Sequence, residues 1–116
     1  MEKTAKKDEV KDRIRNFVFE KKERDFDPQT TLNQLMVKKQ IVWCWGAKDF
    51  KALGSHALVF KVNGYKHKGY VAITLGFMDT YDIHLLDKQG NQKGITLRDV
   101  YCDQLTDVID TLVESN

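Results

Sequence analysis

Hydrophobic and polar residues alternate along the middle of the chain, from Ala57 to Leu86. Leu58, Phe60 and Val62 fall on one side of a period-two ribbon, and similar alternation returns twice before Leu86. Such alternation is typical of half-buried β-strands, and the Gly-containing segments between them are typical of turns. The pattern predicts antiparallel strands near residues 57–64, 69–76, 80–87 and 93–98.

A fifth strand is predicted ahead of this meander, near residues 40–46. The run from Ile41 to Trp45 is rich in β-branched and aromatic residues, which are enriched in strands. As a strand, this run places Trp43 and Trp45 on the same face. The next residues, 46–54, are expected to form a turn and a short helical loop.

The chain ends with apolar residues at helical spacing: Tyr101, Leu105, Val108, Ile109, Leu112 and Val113. They form one face of a helix predicted over residues 100–114, with Asp99 as its N-cap. An antiparallel sheet with one apolar face needs such a cover in water. The predicted fold class is α+β: a two-layer, mostly antiparallel five-stranded meander covered by a C-terminal amphipathic helix, with N-terminal helices.

A second amphipathic pattern lies near the N-terminus, over residues 8–23. Its apolar stripe consists of Val10, Ile14, Phe17 and Val18, and its other face is densely charged. This helix either packs on its own domain or docks on a second copy or another partner. We therefore expect a charged helical arm and linker over residues 1–29, followed by a single α+β domain over residues 30–116.

Pro28 interrupts the helical pattern, because proline biases the residue before it away from helical angles. A short helix is predicted to begin at Thr30 or Thr31 and to run near residues 31–39. Thr31 and Gln34 have the spacing of a capping box. This helix is expected to pack beside the C-terminal one.

Length and composition favour one soluble domain. A chain of 116 residues can bury a core without a disulfide or metal. Cys44 and Cys102 lack C-x-x-C spacing, so we expect buried or half-buried thiols in a reducing compartment. The N-terminus is charged and no run of about twenty residues is apolar, so no secretion signal or membrane span is expected. These features favour a cytoplasmic protein.

The net charge of +2 conceals an asymmetry. Residues 37–70 contain seven lysines against one acid, whereas residues 71–116 contain three basic residues against eight acids. Opposite charges on two parts of one chain favour association with a protein partner or with a second copy.

Aromatic and basic residues are interleaved in residues 37–70, which is also a weak signal for nucleic-acid binding. The alternative is that the aromatic side chains are core and the lysines a solvated rim. Besides Tyr65, the aromatic candidates for base stacking are Trp43, Trp45, Phe50 and Tyr70. The candidate nucleic-acid-binding residues are Lys48, Lys51, Lys61, Tyr65, Lys66, His67 and Lys68.

A second cluster, Asp79, Asp82, His84 and Asp87, carries the residue types of acid–base or metal sites. Nothing in the sequence fixes the distances between them, so we expect a solvated acidic face instead. Cys102 has carboxylates on both sides, which disfavour a thiolate nucleophile. We predict no catalytic residue, no metal ligand and no cofactor.

Several short motifs are spread over residues 31–113. They are Gly46-Ala47-Lys48-Asp49-Phe50, Leu58-Val59-Phe60-Lys61, Ile73-Thr74-Leu75, Tyr81-Asp82-Ile83 and Asp99-Val100-Tyr101-Cys102-Asp103-Gln104-Leu105. In this combination the chain resembles short uncharacterised proteins encoded by bacteriophages and other bacterial mobile elements. The resemblance implies no particular activity, and residues 1–29 lie outside it.

Together these patterns predict a small non-enzymatic cytosolic accessory or protein-interaction protein of the mobile-element type. The alternative is a nucleic-acid-binding protein that uses the basic, aromatic-containing face of residues 37–70. We expect a protein partner or self-association, no membrane partner and no small-molecule ligand.

Overall fold

The computed structural model describes residues 7–94 and 96–114. Five strands form one sheet in chain order, and each neighbouring pair is antiparallel. The strands are β1 (Lys48–Leu53), β2 (Ala57–Asn63), β3 (Lys68–Leu75), β4 (Tyr81–Leu86) and β5 (Leu97–Val100). The helices are α1 (Lys7–Lys21), α2 (Pro28–Met36), α3 (Lys39–Cys44) and α4 (Leu105–Val113), with a 3₁₀ turn at Cys102–Gln104 before α4. The predicted α+β class and antiparallel meander are confirmed.

The side chains of each central strand divide between two cores on opposite faces of the sheet. In β2, Leu58, Phe60 and Val62 join the core beneath α2, α3 and α4. Ala57 and Val59 alternate with them and join a smaller core beneath α1. The sheet is therefore covered by helices on both faces, and α1 adds to the two predicted layers.

The predicted C-terminal cover is confirmed in α4. Leu105, Ile109 and Val113 are fully buried in the larger core. The expected beginning of the helix was wrong, because Val100 ends β5 and α4 begins only at Leu105. Asp99 lies within β5 and caps no helix; its carboxylate accepts a hydrogen bond from the Thr80 hydroxyl at 3.2 Å.

The predicted N-terminal helix is present as α1, and it packs on the sheet of its own chain. Val10, Ile14 and Val18 are buried against Val59 and Ala72, with the other residues of the smaller core around them. Residues 1–6 lie outside the described part of the chain. Whether residues 1–29 form a unit separable from residues 30–116 stays a prediction.

The predicted first strand, residues 40–46, was wrong. Residues Lys39–Cys44 form α3, and β1 comes later, at Lys48–Leu53, where a loop was expected. The segment buries Val42 and Trp45 and half-buries Ile41, which is a helical spacing. Packing under α4 thus overrides the β-propensity of this segment.

The structure also corrects the predicted beginning of α2. Asp27 is the N-cap, and its carboxylate accepts a hydrogen bond from the Gln29 backbone N–H at 3.0 Å. Pro28 takes the first helical position, where its fixed φ suits a helix and no N–H is needed. The proline that was expected to delay the helix therefore begins it.

Candidate partner-binding groove

Helix α1 covers only part of its face of the sheet. Five strands spaced about 4.8 Å apart span about 19 Å, whereas one packed helix covers about 10 Å. Helix α1 lies over β3, and its Phe17 ring meets the His84 ring of β4 edge-on, with centroids 5.2 Å apart. On β2 this face is covered, since Ala57 and Val59 are buried in the smaller core, whereas Asp49 and Lys51 of the edge strand β1 are exposed and leave an uncovered strip beside α1.

A groove lies along this uncovered strip, with a cavity volume of about 480 Å³. Val10 and Ile14 of α1 line it together with Leu53 and Val59 of the sheet. A second cavity of about 420 Å³ lies next to it, since Arg15 and Leu53 line both. We call the two cavities together the basic groove, on account of the cations Lys11, Arg15, Lys51, Lys61 and Lys88 and the single acid Asp49 in the lining of the first.

The cations of the basic groove are largely without acidic partners. Among the side chains that the structure describes, those of residues 9–94 and 96–114, Lys11, Lys51, Lys61 and Lys88 form no ion pair with a carboxylate. Arg15 lies 3.8 Å from Asp12, its neighbour on α1, and both side chains are mostly exposed. Such an exposed pair contributes little energy, so the groove keeps a positive potential.

Lys61 has two cross-strand neighbours, and one of them, Lys48, adds a further positive charge. Lys48 of β1 lies opposite Lys61 of β2, and Lys61 lies opposite Tyr70 of β3. The Lys61 ammonium sits 5.8 Å from the centre of the Tyr70 ring, a cation–π distance. Lys48, Lys51 and Lys61, all singled out from the sequence, therefore lie in or beside the groove.

Of the other four predicted nucleic-acid-binding residues, Tyr65, Lys66 and His67 lie in the turn between β2 and β3, which packs against the end of α4, and Lys68 begins β3. The Lys66 ammonium donates to the Thr111 carbonyl at 2.9 Å, and the backbone N–H groups of Lys66 and His67 donate to the Val113 carbonyl. His67 is buried, which lowers the pKa of its imidazole. Lys68 donates to a carbonyl of its own turn, and only Tyr65 leaves its ring largely exposed. The hydrogen bonds of Lys66 and His67 thus hold this turn against the end of α4.

The aromatic side chains considered for base stacking do not lie together in the structure. Trp45 is buried and donates its indole N–H to Asp110 at 2.9 Å, while Trp43 points to solvent from α3. Phe50 stacks on Phe60 in the larger core, with centroids 4.8 Å apart. Of the aromatic candidates only Tyr70 lines the basic groove.

The predicted partner-binding residues of α1 are also placed. Val10 and Ile14 line the basic groove and Val18 lines its second cavity, each with little exposed surface. Phe17 turns the other way, towards His84. These four side chains thus hold α1 on the sheet, and contact with another chain through them stays a prediction.

The predicted solvated acidic face was wrong for its two central members. Asp82 and His84 are buried on the α1 side of β4. His84 lies between the hydroxyls of Thr74, at 2.9 Å, and Thr96, at 2.8 Å. Burial, together with the charges of Lys21 and Arg98, lowers the pKa of His84 from 6.5 to about 4.

Asp82 is held by Arg98, whose guanidinium lies 3.5 Å from its carboxylate and 3.0 Å from Glu23. Burial raises the pKa of Asp82, and the neighbouring Asp99 N–H and Arg98 oppose that shift. In the described part of the chain, no three His, Cys, Asp or Glu side chains are placed to hold a metal ion. The contacts of Asp82 and His84 therefore join α1, β4 and β5.

Both cysteines are exposed, which corrects the expectation of buried or half-buried thiols. Cys44 ends α3 on its solvent side, and Cys102 begins the 3₁₀ turn before α4. No helix among the described residues is long and apolar enough to cross a bilayer.

Sequence reasoning missed Lys11, Arg15 and Lys88 as groove residues. Lys11 and Arg15 stand four positions apart on the charged side of α1, next to its apolar stripe, which is a readable signal. Lys88 follows β4 in a turn, and only the fold brings it to α1.

Comparison with family models, curated proteins and solved structures found no match to this chain.

Proposed function

We propose that this protein is a non-enzymatic accessory protein that binds an acidic segment of a partner protein in the basic groove. One observation carries the proposal: cations from α1, β1, β2 and the turn after β4 converge on one apolar-floored groove.

The composition of the groove favours a protein ligand. Its floor contains the aliphatic side chains of Val10, Ile14 and Val59, which are almost fully buried, and the half-buried Leu53, which can contact an apolar side chain of a partner. The surrounding cations complement carboxylates, steer an acidic partner and discriminate against a basic one.

Nucleic acid is the second candidate, because lysines also neutralise phosphates. Binding of unpaired bases generally adds stacking on aromatic side chains. The groove offers two aromatic rings that lie in different cavities: Tyr70 in the first, with the Lys61 ammonium already over it, and Phe19 in the second. The dispersed aromatic side chains therefore favour the acidic protein segment over nucleic acid.

Fluorescence anisotropy tests the proposal with three labelled probes: a glutamate-rich peptide of twenty residues with interspersed leucines, a single-stranded oligonucleotide and a duplex. Each is titrated with the full chain at 50 and 200 mM salt. We expect the peptide to bind most tightly and Lys51→Glu to weaken it at least tenfold. Lys39→Glu is the matched control, because it makes the same charge change on α3, away from the groove.

The outcomes separate the candidates. Tighter binding of either oligonucleotide, weakened by Lys51→Glu, would replace the proposal with nucleic-acid binding. Equal losses in the Lys51→Glu and Lys39→Glu proteins would show that the attraction is general and not seated in the groove. Sedimentation of the chain alone tests self-association, and a dimer disrupted by Lys51→Glu would make a second copy the acidic partner.

A further inference from the structure

The first strand of the sheet has one open edge. β1 pairs with β2 on one side, and no strand of the described chain lies on its other side. In an antiparallel pair, every second residue directs its backbone N–H and C=O away from the neighbouring strand. Within residues 7–94 and 96–114, the β1 backbone makes one hydrogen bond beyond its ladder with β2, in which the Leu53 carbonyl accepts from the His56 N–H. The outer backbone groups of β1 are therefore available to another strand.

The side chains of β1 are also largely uncovered. Lys48, Lys51 and Ala52 are exposed, whereas Phe50 and Leu53 are half-buried. The exposure of Ala52 is informative, because a side chain this small is covered by almost any neighbour. No described element therefore packs over this position of the edge.

Charge selects the kind of strand that can pair with this edge. Lys48 and Lys51 lie on the face of the sheet that carries α1, because their cross-strand partners on β2 line the basic groove. Neither ammonium forms an ion pair with a described carboxylate. A second copy of β1 would bring two more lysines to this face, whereas a strand with Glu or Asp there brings carboxylates to both. Charge thus favours an acidic strand over self-pairing.

A bulge shortens the part of the edge that can pair. Two residues, Asp49 and Phe50, lie between Lys48 and Lys51, whereas one residue, Phe60, lies between their partners on β2. Asp49 takes the left-handed region, with a φ of +57°. Such an extra residue interrupts a ladder locally, so an added strand forms few backbone hydrogen bonds. Attraction between opposite charges must then contribute much of the affinity.

We infer that the acidic segment of the partner protein binds as a sixth strand on the open edge of β1. This inference rests on the proposed function and adds the conformation of the bound segment. The acidic side chains of the added strand lie on the α1 face, beside Lys48 and Lys51 at the side of the basic groove. Its intervening side chains lie on the other face, beside Phe50 and Ala52. The segment therefore alternates acidic residues with apolar or β-branched ones.

Three labelled peptides of about twelve residues test the inference with the full-length chain. The first alternates glutamate with valine or threonine, as in a strand with one acidic face. The second has the same composition with its glutamates at helical spacing. The third repeats the alternation with glutamine in place of glutamate. Fluorescence anisotropy gives the affinities at 50 and 200 mM salt.

We expect the alternating acidic peptide to bind at least tenfold more tightly than the other two, and more weakly at the higher salt concentration. Lys51→Glu should remove at least tenfold of that affinity. Lys39→Glu, on α3, should leave it unchanged. Amide spectra of each variant alone establish that it is folded.

Amide hydrogen exchange followed by NMR identifies the edge that is used. A saturating amount of the alternating acidic peptide should slow exchange of the outward amides of β1 at least tenfold, because they gain hydrogen-bond acceptors. The opposite edge strand, β5, is the internal control, and its exchange should not change. Equal slowing at both edges, or no slowing at β1, would overturn the inference.

The outcomes also distinguish this inference from the function on which it rests. If both acidic peptides bind equally tightly and the β1 amides stay unprotected, the bound segment is not an added strand, while binding of acidic protein stands. If neither acidic peptide binds, both the inference and the proposed function are wrong. If the glutamine peptide binds equally well, the role assigned to Lys48 and Lys51 in selecting the strand is overturned.

Discussion

The two tryptophans differ in environment although they are two positions apart. Trp43 is 66% exposed, whereas Trp45 is fully buried beside Phe60, with its indole N–H on Asp110. Their separation follows from the helical geometry of α3, because a strand places positions i and i+2 on one face.

This difference predicts a selective response to a polar quencher. In the Trp45→Phe protein, the remaining Trp43 should emit at long wavelength and be strongly quenched by acrylamide. In the Trp43→Phe protein, the remaining Trp45 should emit at shorter wavelength and be quenched several-fold less. Equal quenching of the two variants would contradict the helical assignment of residues 39–44.

His84 makes stability depend on pH. Its pKa is about 4 in the folded chain because burial disfavours the imidazolium, against 6.5 for a free side chain. The unfolded chain therefore binds a proton at higher pH than the folded chain. The stability is fully present above pH 6.5 and is lost as pH falls towards 4, by about 3 kcal/mol for this group.

Urea unfolding at several pH values tests this expectation against the variant His84→Gln. The variant should lose less free energy of unfolding between pH 6.5 and 4 than the natural chain, even though it is less stable at pH 7. The lowered pKa of His67 acts in the same direction in both proteins, and the raised pKa of Asp82 acts in the opposite one. Parallel pH profiles would show that His84 does not titrate as described.

At the scale of elements, α1 is an integral layer of the structure. Its residue Ile14 is 5% exposed and packs into the smaller core, whereas Phe19 on the same helix is 64% exposed. The smaller core has no other helix above it, so the contacts of α1 shield Ala57, Val59, Ala72 and Leu86 from water.

Truncation of these two α1 side chains should have unequal effects. Ile14→Ala should lower the free energy of unfolding by about 2–4 kcal/mol, since it leaves a cavity in a buried core. Phe19→Ala is the control and should cost less than about 1 kcal/mol, because an exposed ring makes few contacts. Urea denaturation measures both; equal small losses would mean that α1 is a detachable arm.

A second element, the turn between β2 and β3, is fitted closely to α4. A Cβ atom added at Gly64 would lie 2.3 Å from the Val113 side chain and 2.5 Å from the Val113 carbonyl oxygen. This approach is what lets Lys66 and His67 donate to the Val113 carbonyl and close the end of α4.

Gly64→Ala should therefore cost about 2–3 kcal/mol of unfolding free energy, because the backbone of α4 must move to admit the methyl group. Gly94→Ala is the control, since nothing lies within 4 Å of its Cβ position. Its cost, from its φ of +80°, should be about 1 kcal/mol. Thermal unfolding monitored by circular dichroism compares the two variants, and equal costs would contradict the close packing of Gly64.

At the scale of the whole molecule, the basic groove brings together positively charged side chains that repel one another. Lys51 and Lys88 lie far apart in sequence and line the same groove, and neither forms an ion pair among the described residues. Repulsion between such charges costs stability, which is consistent with a site kept for a ligand.

The double variant Lys51→Gln/Lys88→Gln should be more stable than the natural chain at low salt, by about 0.5–1 kcal/mol. Screening by 0.5 M NaCl should remove most of this gain. Urea is the denaturant for the measurement because it adds no ions. A gain that is independent of salt would show that the change acts through packing and not through charge.

Local pattern was sufficient for the three central strands β2, β3 and β4, for α1 and for the apolar face of α4, whereas β1 and β5 lie later in the chain than the strands predicted near 40–46 and 93–98. Period-two and period-3.6 spacings report which side of an element is buried, and these segments are long enough to carry them. The charge excess of residues 37–70 likewise pointed to Lys51 and Lys61. Local pattern failed at residues 39–53, where a short apolar run suits either a helix or a strand, and contact with α4 decided the helix.

The basic groove itself was decided by tertiary structure. Its cations come from four separate segments, and their meeting depends on α1 lying over β3 and leaving the edge strand β1 exposed. The sequence by itself determined which residues are charged and which faces are apolar, because these are properties of single residues and local spacing. Which charges share a groove depends on where α1 crosses the sheet, and that position is set by packing between residues far apart in the chain.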